Sequence, residues 1–333
     1  MKIMKVPTGK IFIIDGERGR LECLSLADYG KEKNIKADFL GLHREINGVP
    51  NGNPEPLSKK WVITISSQYG CSMNCRFCCV PQVGPGLNAS CTDLSRQIIA
   101  AVGVESCSRT ERLNIHYARM GEPTFNMNVI DHFYDLHRRI RWVVMADTVH
   151  PVLSTMLPRR NRALRDFLLD WCYIKNSPDL YDGEAGVQFS INSTSDEQRE
   201  TMFSGNSLKL ATIAAIGEAL PMPKGRKYAL NFALADGCEI DAVKLKRWFD
   251  SEKFMVKITP MHNTGACIRN GIKTTGGYEY FSPYRKIEEA LKNAGFDVLI
   301  FIPSSDEDDG LITCGNAILS GSEPRVKHQT IEV

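Results

Sequence analysis

Residues 66–78 read SSQYGCSMNCRFC, and the rest of the chain is best read outward from them. Three thiols, Cys71, Cys75 and Cys78, stand in the spacing Cys-x3-Cys-x2-Cys. A structural zinc ion asks for four ligands and usually draws them from paired knuckles. Cys79 directly follows Cys78, and adjacent side chains diverge too far to share one ion. Cys91 is a possible fourth ligand, but it is not part of a knuckle. Three thiolates on one loop suit an iron–sulfur cluster better, because one iron stays open for a ligand from outside the protein. The expected cofactor is therefore a [4Fe–4S] cluster held by Cys71, Cys75 and Cys78.

Around this loop, short apolar runs alternate with longer helical patterns. The expected strands are WVITIS (61–66), LNIHYA (113–118), HPVLST (150–155), GVQFSIN (186–192), YALNFAL (228–234), MVKITP (255–260) and FDVLIF (296–301). Helices are expected to begin near Thr92, Asn126, Arg159, Thr194, Ser207, Ile240 and Ser282, several of them at Ser, Thr or Asn caps. Strand and helix in repeated alternation call for a parallel sheet. Polar residues follow successive strands, as at the C-terminal mouth of a barrel. The expected fold is α/β, a partial parallel (β/α)6-type barrel over residues 58–319. A small β-rich N-terminal extension covers residues 1–57 and an unanchored tail covers 320–333.

The 333 residues are 43% hydrophobic and 24% charged, a globular profile with ample core. A formal net charge of +2 permits an anionic partner without demanding one. No run of about 18 apolar residues is present, which excludes a spanning helix. The opening MKIMKVPTGK carries no apolar secretion signal, so a cytoplasmic location is expected. In that setting the 11 cysteines read as ligands, reactive thiols or core residues rather than as disulfides.

The cluster spacing after a first barrel strand resembles the radical S-adenosylmethionine (SAM) superfamily. There the open iron binds the amino and carboxylate groups of SAM, and a 5′-deoxyadenosyl radical is formed. The flanks narrow the likeness. SSQYGCSMNCRFCCVPQVG is similar to the signature of the RlmN/Cfr family, which methylates an unreactive adenine carbon in RNA. Further likenesses follow in order: RMGEP (119–123), LST (153–155), FSINSTSDEQRETM (189–202), ALADGCEID (233–241) and DDGLITCGNAIL (308–319).

The resemblance implies roles for single residues. Gly121 and Glu122 would meet the methionine end of SAM, where a carboxylate accepts from an ammonium. Ser154, Ser190 and Asn192 would hold the rest of it, with Asn192 standing where the family has histidine. His262 or Asn263, in TPMHNT, would supply the family's asparagine contact. Cys314 would carry a methyl group as S-methylcysteine, whose carbon radical adds to the base. Glu45, in EINGVP, would accept a proton beside the target base. A flavodoxin- or ferredoxin-type donor would supply electrons.

Two departures stand out. The family's second cysteine, seven positions before Cys71, is Thr64 here, and a hydroxyl cannot resolve an adduct by disulfide exchange. Cys79, Cys91, Cys107, Cys172, Cys238 and Cys267 are the remaining candidates for that step. The N-terminal part is β-rich rather than helical. The basic stretches 138–141, 158–165 and 223–227 read either as phosphate contacts or as solvated helix ends and loops. The alternatives to RNA methylation are a divergent radical enzyme acting on a nucleotide or other small molecule, and a cluster-bearing RNA-binding protein without turnover. SAM cleavage separates the last from the others, and methyl incorporation into RNA separates the first two.

Overall fold

The computed structural model describes residues 1–27, 56–276, 282–303 and 305–332. Strands β1 (Lys2–Val6), β2 (Gly9–Gly16) and β3 (Gly19–Ala27) form an antiparallel meander. β4 (Lys60–Ile65) follows, with a small ribbon of β5 (Gln68–Gly70) and β6 (Pro85–Asn88) after it. Then come β7 (Arg109–Tyr117), β8 (Met145–Thr155), β9 (Gly186–Ser190), β10 (Tyr228–Leu234), β11 (Phe254–Pro260) and β12 (Val298–Ile300). The last strand is β13 (Gln329–Glu332).

Helices fill the crossovers. α1 (Cys91–Val104) lies between β4 and β7, α2 (Asn128–Arg139) before β8, and α3 (Leu164–Asn176) before β9. α4 (Asp196–Met202) and α5 (Leu210–Ala219) lead to β10, and α6 (Ala242–Trp248) to β11. α7 (Gly265–Arg269) and α8 (Ser282–Asn293) lead to β12, and α9 (Ser305–Asp309) follows it. α1 starts at a reciprocal capping box, with Ser90 accepting from the Asp93 amide and Asp93 from the Ser90 amide. Among the described residues, no helix is long and apolar enough to cross a membrane.

One sheet runs β12-β11-β10-β9-β8-β7-β4-β3-β2-β1-β13. From β4 to β12 the strands are parallel, and each lies beside the one before it in the sheet. That singly wound order belongs to a (β/α) barrel; a doubly wound sheet reverses at a switch point. The sheet stays open, with β12 and β13 at its two edges. All seven expected parallel strands form. The tail, expected to be unanchored, is held instead: β13 pairs antiparallel with β1, from Lys2↔Glu332 to Lys5↔Gln329.

Strand alternation divides the sheet into two chemically different faces. Trp61, Ile63, Leu113, Ile115, Phe189, Leu230, Phe232, Val256 and Ile258 point toward the helices and form the core with Phe133, Phe167 and Trp171. The inner face, turned away from the helices, carries Lys60, Thr64, Arg112, His116, Ser154, Gln188, Asn231 and Lys257. On β1–β3 the inner face is largely apolar, though it also carries the buried Glu22. There Met4, Ile11 and Leu24 pack on Leu311 and Ile312 of the C-terminal segment.

Candidate active site

The cluster loop leaves the end of β4 and is clamped from three sides. The Arg76 amide donates to the Met202 carbonyl (2.9 Å), and Asn206 Nδ2 to the Met73 carbonyl (3.1 Å). Thr264 Oγ1 donates to the Phe77 carbonyl (2.7 Å), and Asn270 Nδ2 to the Arg76 carbonyl (2.7 Å). The Cys79 amide donates to the Gly315 carbonyl (2.8 Å), which ties the loop to the residue after Cys314. Gly315 has φ +87°, and a Cβ there would come 3.2 Å from the Phe77 carbonyl oxygen. Phe77 meets Phe203 edge-on, with ring centroids 5.7 Å apart.

Cys71, Cys75 and Cys78 lie close enough to influence one another's ionisation. Burial pushes the Cys71 thiol up to about 12, and Glu122 and Cys314 add to the rise. Burial also raises Cys75 and Cys78, each further raised by the neighbouring thiols. Such thiols are inert unless a cation takes up their charge. Among the described residues, no three His, Cys, Asp or Glu side chains converge closely enough to share one ion. Sulfurs around one zinc would lie roughly 3.8 Å apart, from Zn–S bonds of about 2.3 Å. A cluster takes each thiolate on a different iron, and three thiols spread around one loop fit that donor set.

Glu122 is buried at the end of β7. Its Oε1 accepts from Thr124 N (3.1 Å) and Thr124 Oγ1 (2.7 Å), and its Oε2 from Met156 N (2.7 Å). Burial raises its pKa, and the bonds from Met156 and Thr124 oppose the rise. Gly121 has φ +96°, and a Cβ would come 2.6 Å from Gln68 Cβ, so only glycine lets this turn lie against β5. Gln68 Oε1 in turn accepts from the Glu122 amide (2.8 Å).

Ser154 and Ser190 sit near the C-terminal ends of β8 and β9. Ser154 Oγ accepts from Gln188 Nε2 (3.3 Å). Asn192 is left-handed (φ 59°), and its Oδ1 accepts from the Ala233 amide (3.0 Å), clasping β9 to β10. His262 Nδ1 lies 3.2 Å from Asp308 Oδ1, and the Asn263 amide donates to Asp308 Oδ2 (2.8 Å). These residues and the cluster loop therefore gather at the C-terminal edge of the sheet. Glu45 lies outside the described residues.

Cys314 is exposed at its own surface yet enclosed by surrounding protein. Burial raises its thiol pKa, and Arg119 and Lys257 pull it back. The segment that carries it is fixed by two buried acids that sequence reasoning missed. Asp308 accepts from Thr313 Oγ1 and also holds the 262–263 loop. Glu22, on β3, forms a fully buried ion pair with Arg119, with Nε 2.8 Å from Oε1. Arg119 also donates to the carbonyls of Leu311 (3.0 Å) and Thr313 (3.3 Å), and Glu22 Oε2 accepts from the Leu319 amide (3.1 Å). A charged residue inside the apolar run LECLSL was the available signal for Glu22. The alternative thiols are scattered. Cys91 and Cys107 donate to the carbonyls of Asn128 and Arg109, and Cys172 lies in the helix-side core. Cys79 and Cys267 are buried beside the cluster loop.

A singly wound open sheet with three thiols after its first parallel strand defines a protein of the radical SAM fold. A solved radical SAM methyltransferase from Sphaerobacter thermophilus matches it at a TM-score of 0.56, with 16% identity, over 93% of this chain and 77% of that one. No protein-family model matches the chain. Its sequence is similar to those of curated RNA methyltransferases. The dual-specificity RNA methyltransferase RlmN of Sorangium cellulosum is 23% identical over 275 residues, 79% of this chain and 63% of its own. That of Wolinella succinogenes is 27% identical over 235 residues, 69% of this chain and 56% of its own. The chain thus spans less than two thirds of the length of these curated relatives.

Proposed function

We propose that this protein is a radical SAM methyltransferase that uses Cys314 as a methyl carrier to modify an unreactive carbon of an adenine-type base in RNA. The observation that carries the reading is the placement of Cys314. The residue has an exposed surface within surrounding protein, its neighbour Gly315 is hydrogen-bonded to the cluster loop, and Arg119 and Asp308 fix its segment.

Cys71, Cys75 and Cys78 would hold a [4Fe–4S] cluster, and Glu122, Ser154, Ser190, Asn192 and the 262–263 loop would hold SAM. When bound, these groups supply one-electron chemistry at carbon, with electrons from a flavodoxin- or ferredoxin-type donor. The chain's own task is to orient and to exclude water. Glu122, already engaged by Thr124, Thr155 and Met156, would share its carboxylate with the ammonium of SAM. Burial raises the Cys314 thiol, and Arg119 and Lys257 offset part of that rise toward the thiolate, the form that takes a methyl group. Thr64 cannot release a Cys314 adduct by disulfide exchange.

The test uses methyl-labelled SAM and reductant on reconstituted protein. The Cys314 peptide should gain one methyl, and adenine in added RNA should become labelled. Cys314→Ala should still cleave SAM and transfer no methyl. Methyl transfer that survives Cys314→Ala would refute the reading. A second reading, a small nucleotide as substrate, is favoured by the cations of the inner face.

A further inference from the structure

Four cations meet on or over the inner face. Lys60 and Arg112 are cross-strand neighbours on β4 and β7. Lys257 lies on β11, beside Asn231 of β10, which in turn lies beside Ser190 of β9. Arg226 reaches across from the loop before β10 and donates to the Glu184 carbonyl (3.3 Å). All four act on His116, which burial and these charges push down to about 3. Among the described residues, Glu184 acts on Arg226 and the Cys314 thiol on Lys257; Glu184 is half exposed and pairs with His150 at 3.0 Å. Among the described residues, neither Lys257 nor Arg226 forms a salt bridge. Lys257 donates instead to Gln188 Oε1 (3.3 Å) and lies over the Phe301 ring (5.7 Å).

Lys257 and Arg226 act on each other as like charges, and such a pair is disfavoured unless an anion joins it. A second observation also points to a ligand. Asn231 is only 8% exposed, and its Oδ1 has no hydrogen-bond partner. Buried amide oxygens are rarely left this way. Cations, an unfilled acceptor and a partly exposed aromatic ring on one face match a nucleotide: phosphate for the cations, a hydroxyl or amino group for the amide, and a ring face for Phe301.

We propose that the inner face is a phosphate site, with Lys257 and Arg226 as principal ligands, which holds the phosphate of the nucleotide that the enzyme modifies. This rests on the function proposed above. The phosphate could belong to a free nucleotide or to an RNA, and the test separates the two.

Binding is measured by calorimetry on the cluster-reconstituted full chain with adenosine, AMP and a short adenine-containing RNA. AMP should bind at least roughly tenfold more tightly than adenosine, the worth of a charge-assisted hydrogen bond. Lys257→Met and Arg226→Gln should each weaken AMP roughly tenfold, and Lys257→Arg should restore most of the loss. Arg138→Gln, on the exposed side of α2, should change nothing. Inorganic pyrophosphate should displace AMP from the unaltered protein, a result that does not depend on how any variant folds. If RNA binds and AMP does not, and both lumen variants weaken RNA, the site stands and its phosphate is that of RNA. Equal affinity for AMP and adenosine with no displacement by pyrophosphate, or RNA binding indifferent to both variants, overturns the proposal. Methyl uptake by Cys314 without substrate is measured in parallel. If that uptake persists while phosphate binding fails, only the phosphate site is refuted.

Discussion

The Arg119–Glu22 pair offers the sharpest test of how the fold holds its candidate methyl carrier. Both side chains are almost wholly inaccessible, at 1% and 0%. Between them they engage the backbone of Leu311, Thr313 and Leu319, on both sides of Cys314. Glu22→Gln keeps the shape and leaves a buried guanidinium without its counter-ion. Arg119→Met leaves a buried carboxylate with only the Leu319 amide. Removing one partner of a buried pair costs about 3–5 kcal/mol, a large share of the roughly 5–15 kcal/mol that stabilises a domain. Removing both charges together in Glu22→Leu/Arg119→Met should cost less than the sum of the single changes, by about 2 kcal/mol or more, because no uncompensated ion remains. Urea unfolding measures the energies, and native-state alkylation of Cys314 measures its exposure. Both single variants should alkylate faster than the parent, since the segment loses its anchors. Single losses below about 1 kcal/mol, or additivity within about 0.5 kcal/mol, would refute the pair as the clamp.

Three further outcomes are expected. Reconstituted protein should be brown with about four irons per chain; Cys71→Ala, Cys75→Ala or Cys78→Ala should abolish the colour while Cys79→Ala keeps it, and stoichiometric zinc without iron would contradict the cluster. His132 is held neutral against Tyr117 OH (2.7 Å), and burial pushes its pKa down to about 4, below the ordinary value of 6.5. Its contribution is full above pH 6.5 and is lost as pH falls toward 4, about 2 kcal/mol between pH 7 and 5; urea unfolding of His132→Gln at both pH values should show a shallower loss. Thr64→Cys should raise turnover and lower the yield of any Cys314–substrate adduct; mass spectrometry showing many turnovers and no adduct in the unaltered protein would rule out this account of release.

The parallel strands were legible because each is a local alternation, with one face apolar for the helices. Helix starts were legible from caps such as Ser195, which accepts from the Gln198 amide. What escaped has distant partners or weak local pattern. Arg119 and Glu22 are 97 positions apart, and β13 finds its partner at the other end of the chain. The five-residue helices α7 and α9 have too few turns to show periodicity. Arg226, in a stretch read as either a phosphate contact or a solvated loop, turns inward toward Glu184 and the inner face. Lys257, a lone charge inside MVKITP, was one visible sign that this face is polar.

The departure at Thr64 acquires a location from the strand register. Thr64 is the cross-strand partner of Leu24 on β3 and of His116 on β7, so it lies on the inner face at the join between the antiparallel and parallel parts of the sheet. Leu24 packs against Leu311 and Ile312, three and two residues before Cys314. The position therefore belongs to the surface on which the Cys314 segment rests. The hydroxyl that stands there in place of a thiol has a pKa several units above the thiol reference of about 8.5, so it can orient water but cannot take over the sulfur chemistry. Cys91, Cys107 and Cys172 are tied to the helix side of the sheet, and bringing any of them to Cys314 would require breaking that packing. Release of a Cys314 adduct therefore falls to Cys79, Cys238 or Cys267 around the cluster loop, to elimination assisted by a base, to an external thiol, or to no efficient step at all. The thiol-bearing variant distinguishes a lost function from a replaced one: it restores release only if the surrounding site still expects a sulfur at position 64.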